Sequence, residues 1–146
     1  MKCIIVDDEP LARQGLANML DGISAIELLD SFSNAIDANH YLQNNTVELM
    51  FLDIEMASLN GLDFAKNLVD KPLIIFITAY PQYALESFEV DALDYLVKPV
   101  RIERLLRAIN KAENYLALLQ RNAEEGLTTV EDNYVVIKHA RQFRKI

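Results

Sequence analysis

CIIVDDEP, residues 3–10, sets four consecutive apolar residues against three acids and a proline. A run that is apolar at every position suits a parallel strand covered on both faces, and the proline suits the first turn of a helix. The acids therefore fall in the turn between strand and helix. The unit recurs downstream: LMFLD (49–53) ends in Asp53, LIIFIT (73–78) in Thr78, and YLVK (95–98) in Lys98. IELLDSF (26–32) is interrupted by charge and belongs at an edge. Five short runs alternating with helical spacing predict an α/β domain, a parallel sheet with helices on its faces.

The connecting segments carry their own punctuation. Pro10 opens a first helix with an inward stripe of Leu11, Leu16 and Leu20, and Gly22 closes it. Ser33 caps a second, with Ile36, Tyr41 and Leu42 inward; Asn60 or Gly61 opens a third, offering Leu62, Phe64, Ala65 and Leu68 to the core. Pro81 starts a shorter fourth. The last helix runs from Arg101 to about Arg121, with Ile102, Leu105, Leu106, Ile109, Ala112, Leu116 and Leu119 at three- and four-residue spacings. Residues 123–133 are polar and read as a linker. Residues 134–137 read as a strand, and 142–146 as the start of another, the beginning of a second, truncated domain.

Composition narrows the function classes. The 146 residues are 51% apolar and 25% charged, with 14 basic against 22 acidic residues and a net charge of -8. The longest apolar run, 73–77, is too short to span a membrane, and the acids of the N-terminus leave no apolar stretch for a signal peptide, so the chain reads as cytoplasmic. One cysteine, Cys3, excludes an internal disulfide and reads as a buried, inert thiol. Two scattered histidines, His40 and His139, make no zinc site. Residues 1–100 carry five bases against sixteen acids and would repel nucleic acid; residues 101–146 carry nine bases against six acids.

The strand ends carry the chemistry. Asp7, Asp8, Asp53, Thr78 and Lys98 all come directly after apolar runs, so a parallel sheet brings three carboxylates, a hydroxyl and an amine to the edge where open α/β sheets hold ligands. Taken singly, each has a plainer reading: an acidic pair as a helix cap, an Asp as turn chemistry. Taken together, clustered carboxylates call for a hard divalent cation such as Mg²⁺, while ammonium and hydroxyl neutralise oxygens of a transferring phosphoryl group as a carboxylate attacks.

The segments IIVDDEPLAR (4–13), FLDIEMASLNGLDF (51–64) and FITAYPQYALESFEVDALDYLVKP (76–99) resemble the receiver domain of two-component response regulators, over about residues 1–122. The third is most similar to regulators of the LytTR (LytR/AlgR) type, and NYVVIKHARQFRKI (133–146) resembles the first strands of the LytTR DNA-binding domain. The resemblance implies a flavodoxin-like fold, a five-stranded parallel sheet of order 2-1-3-4-5 flanked by five helices. It implies Asp53 as phosphoacceptor, Mg²⁺ held by Asp8 and Asp53, by the Glu55 backbone carbonyl and by Asp7 through water, Thr78 and Lys98 on the phosphoryl oxygens, and Tyr95 as the switch aromatic. It also implies a cis bond between Lys98 and Pro99. Ala57 stands where the family commonly has proline, and Glu55 where side chains tune autodephosphorylation.

The same resemblance implies the function: a phosphoacceptor signalling domain, not a turnover enzyme, taking its phosphoryl group from a sensor histidine kinase and losing it slowly to water. The face of the fourth helix, fifth strand and last helix would then favour a homodimer and DNA binding through a C-terminal domain. The alternative is a Mg²⁺-dependent phosphohydrolase resembling the haloacid dehalogenase group, with Asp7 as nucleophile; that group has a second Asp two residues on, where this chain has Glu9. A receiver used only as an interaction module lacks a reason for the intact acidic set. An FMN site lacks a Gly-rich or Ser/Thr-rich loop after the first strand.

Overall fold

Three of the five strands bury nearly every residue, and the structure, a computed structural model, shows why: they lie side by side between two helical layers. It describes residues 1–57, 59–84, 86 and 89–125. In chain order these form β1 (Lys2–Val6), α1 (Pro10–Asp21), β2 (Glu27–Phe32), α2 (Ala35–Asn44), β3 (Leu49–Asp53), α3 (Gly61–Asn67), β4 (Leu73–Thr78), a single 3-10 turn (Pro81–Tyr83), β5 (Asp94–Val97) and α4 (Ile102–Glu125). The sheet is parallel throughout, in the order β2-β1-β3-β4-β5, as expected. β2 is the partly exposed edge its charges predicted.

Alternation along the strands divides the core. Ile4, Val6, Met50, Leu52, Ile74 and Phe76 face α2 and α3; Cys3, Ile5, Leu49, Phe51, Ile75 and Ile77 face α1 and α4. Cys3 is wholly buried, and burial pushes its thiol up to about 12.

Several helix faces differ from expectation. Leu11 is 84% exposed because it sits about 140° around α1 from Leu16, which with Leu20 meets the sheet. Ile36 is 74% exposed, since the residues α2 lays on the sheet are Ala35 and Ala38, small enough for close approach. The cap of α2 is Asn34, not Ser33: its side chain accepts from the Asp37 N–H at 2.8 Å and donates to the Asp37 carboxylate at 3.0 Å. In α4 the buried set is Leu105, Ala108, Ile109 and Ala112, leaving Ile102 in the first turn and Leu106 on the flank exposed.

Boundaries differ as well. α4 continues to Glu125, past the end expected at 121 and into the segment read as a linker. The fourth helix expected from Pro81 begins as the 3-10 turn; Leu85, Ser87 and Phe88 lie outside the described residues. So do residues 126–146, with the strands expected there and His139. No described helix is long and apolar enough to cross a membrane.

Candidate functional site

Four of the five strands end where their last residues can be useful. β1 stops at Val6 and delivers Asp7 and Asp8; β3 ends in Asp53, β4 in Thr78, and β5 hands on to Lys98. β1 and β3 are neighbours whose succeeding helices, α1 and α3, lie on opposite faces of the sheet. Their turns leave the sheet in opposite directions at the reversal of strand order, the usual ligand position in such sheets. Among the described residues the buried polar or charged ones are Asp7, Asp53 and Thr78. A core that holds buried polar groups at this one edge, among the described residues, makes it the candidate functional edge.

Lys98 ties the cluster together. Its Nζ lies 2.9 Å from Asp7 Oδ2, 3.4 Å from Asp53 Oδ2 and 3.2 Å from Glu9 Oε1. Its backbone N–H donates to the Thr78 carbonyl at 2.8 Å, and the peptide bond to Pro99 is cis, as expected. Asp7 is held further by the Glu9 N–H on Oδ1 at 2.9 Å and by Arg13, whose Nη1 donates to the Asp7 carbonyl at 2.7 Å. The Asp8 carboxylate accepts the Ala57 N–H at 3.2 Å, joining the β1–α1 turn to the β3–α3 connection. Thr78 Oγ1 accepts the Tyr80 N–H at 3.0 Å, so its proton remains the group it can offer an oxygen.

The plainer reading of Asp7 and Asp8 as helix caps does not hold. The cap position of α1 is Glu9, whose side chain makes no cap bond and reaches Lys98 instead. Glu9 is the contact sequence reasoning missed, although it stands directly after the acidic pair. Gly61 is the second: a Cβ built on it would lie 2.1 Å from the Asp53 carbonyl oxygen, so the start of α3 rests against the backbone of Asp53. Its N–H donates to the Ile54 carbonyl at 2.8 Å. Glu55 lies two residues past Asp53 and is exposed; Tyr95 is half-buried on β5, packed on the α2/α3 side of the core.

Negative charge outweighs positive here. Burial first, then the charge of Asp7, pushes the Asp53 carboxyl up to about 7, although Lys98 opposes the shift. Burial works against charge on Lys98, but its hydrogen bond to Asp7 and the charges of Asp53 and Asp7 raise it to about 12. Carboxylate oxygens of Asp7, Asp8, Glu9 and Asp53 all lie within 4.8 Å of one another. An all-oxygen donor set with surplus negative charge fits a hard divalent cation rather than a soft one.

Residues 3–110 match the family described as response regulator receiver domain. The sensory transduction protein LytR of Staphylococcus haemolyticus is 40% identical over 80% of this chain and 47% of its own length. Among solved structures, the response regulatory domain of protein mrkE from Klebsiella pneumoniae superposes with a TM-score of 0.73 at 40% identity, covering 79% of this chain and 97% of that one. The response regulator TrrA from Thermotoga maritima, in complex with Mg²⁺-BeF, has a TM-score of 0.67 at 31% identity, covering 76% and 97%. The chain spans about half the length of the curated relatives it matches. With the match running from the first strand into the last helix, the chain belongs to the response regulator receiver family.

Proposed function

We propose that this chain is the phosphoacceptor of a two-component system, with Asp53 taking a phosphoryl group from a phosphohistidine of a sensor histidine kinase. The observation that carries the reading is the triple contact of Lys98 with Asp7, Glu9 and Asp53 at the carboxyl end of the sheet. An Asp53 oxygen attacks phosphorus in line; the P–N bond breaks and its electron pair returns to the imidazole, leaving an acyl phosphate. Lys98 then exchanges a carboxylate contact for a phosphoryl oxygen, and the Thr78 hydroxyl donates to another. Bound Mg²⁺, held by Asp8, Asp53 and the Glu55 carbonyl and by Asp7 through water, would supply the positive charge that screens the phosphoryl oxygens from the carboxylates.

The phosphohydrolase alternative needs a free Asp7 nucleophile. Both Asp7 oxygens are engaged, one by Lys98 and one by the Glu9 N–H, which favours Asp53. Signal output, in this reading, is a population shift around Thr78, Tyr95 and the face of β5 and α4 that promotes a homodimer and controls a C-terminal DNA-binding domain. Intact mass after incubation with acetyl phosphate tests the proposal. A single phosphoryl gain that requires Mg²⁺, is labile to base and is absent in Asp53→Asn supports it; a gain that persists in Asp53→Asn assigns the nucleophile elsewhere.

A further inference from the structure

The connection that carries Lys98 runs from the end of β5 to the start of α4, and an ion pair joins Arg104 in the first turn of α4 to Asp94, the first residue of β5, ten residues away. Arg104 Nη1 donates to Asp94 Oδ2 at 2.9 Å and Nη2 to Asp94 Oδ1 at 2.7 Å, a two-pronged pair. Nη2 also donates to the Tyr95 carbonyl at 3.2 Å, while Asp94 Oδ1 accepts the Tyr95 N–H at 2.9 Å. Both backbone polar groups of Tyr95 are thus held by the ion pair. A surface pocket of about 210 Å³ lies against this connection, lined by Tyr95, Val97, Pro99, Val100 and Arg104 among others, and Ile102, in the same helical turn as Arg104, is 42% exposed. The Asp94 side chain is only 11% exposed, and its carboxyl lies below the ordinary range: burial raises it, but hydrogen bonds from Arg104 and the Tyr95 N–H and the charge of Arg104 lower it further.

We propose that Arg104, through Asp94 and the Tyr95 backbone, is a positioning residue for Lys98: it closes the β5–α4 connection and so sets the reach of the Lys98 ammonium toward Asp53. The inference rests on the phosphoacceptor reading above. On the strand side Lys98 is placed by its N–H bond to Thr78; on the helix side the side-chain ties of the first turn to β5 come from Arg104. Without that tie the first turn of α4 can shift relative to β5, and the connection between them with it. A displacement of about 1 Å at a positioning group costs up to about a hundredfold in rate, and partial relaxation makes about five- to tenfold the expected loss.

The test is the initial rate of Mg²⁺-dependent phosphorylation by acetyl phosphate, followed by intact mass, in proteins whose circular dichroism matches wild type. Arg104→Ala is expected to slow the reaction about five- to tenfold, and Arg104→Lys to recover part of it, because an ammonium cannot make the paired contact. In a Lys98→Ala background Arg104→Ala should cause no further loss, a non-additivity that general destabilisation would not produce. Full-rate phosphorylation of Arg104→Ala, or losses that multiply in the double variant, would overturn this inference while leaving Asp53 the acceptor. A wild type that takes no phosphoryl group would overturn the phosphoacceptor reading and this inference with it.

Discussion

Replacing Gly61 by alanine places a methyl group where there is no room. The added Cβ would lie 2.1 Å from the Asp53 carbonyl oxygen and 3.0 Å from both the Asp53 carbonyl carbon and the Ile54 Cα. All three are backbone atoms of the central strand's end, so no side chain can swing aside. Ordinary contact begins near 3.4 Å, and the start of α3 must retreat from β3 by roughly 1 Å or more. That retreat stretches the bond from the Gly61 N–H to the Ile54 carbonyl, now 2.8 Å. Overpacking together with a weakened hydrogen bond comes to about 2–4 kcal/mol, reduced by up to about 1 kcal/mol of helix propensity. Urea unfolding should show a midpoint lower by about 1 M with an unchanged slope. Gly15 supplies the contrast: it lies mid-way along α1 with nothing within 4 Å of a built Cβ, and Gly15→Ala should raise stability by about 0.5–1 kcal/mol. A Gly61→Ala protein as stable as wild type would refute the steric argument.

Three further outcomes are expected from the same geometry. Asn34→Ala should lose about 1 kcal/mol in urea unfolding while Ser33→Ala stays near wild type, because Asn34 makes the cap bond of α2. The Asp94 carboxyl is lowered in the fold, so its contribution is present above the unfolded value of about 3.9 and disappears as pH falls through the folded one; the stability gap between wild type and Asp94→Asn, measured by urea unfolding from pH 7 to pH 3, should close only in acid. In EDTA, Asp53→Asn should melt above wild type, since it removes one charge from a crowded set of carboxylates; added Mg²⁺ should raise the melting temperature of wild type more than that of the variant.

The sheet and the placement of the candidate site residues were legible because both are written as local patterns. Unbroken apolar runs mark buried parallel strands, and the polar residue at the end of each run must arrive at one edge, so the meeting of Asp7, Asp53, Thr78 and Lys98 is readable from the order of residues alone. Helix faces were less legible. Leu11, Ile36 and Leu106 are apolar yet turned outward; in α2 and α4 alanines took sheet-facing positions, and apolar character alone does not say which of two neighbours is small enough to lie closest. Pairings across loops were not legible at all: Arg104 and Asp94 are ordinary surface-type residues until the β5–α4 connection folds them together. Glu9 was overlooked for another reason, since a helix-start acid usually caps its own helix, and here it reaches across to Lys98.

The sheet divides the interior as a septum divides a chamber. Odd-numbered residues of β1, β3 and β4 meet one helical layer and even-numbered ones the other, with no side chain passing through. The two compartments can therefore be re-engineered separately: a volume change between β4 and α3 is absorbed within its own half, and one between β1 and α1 within the other. Asp53 and Lys98 sit at the rim where the septum ends, a place from which a local charge change can reach both halves at once.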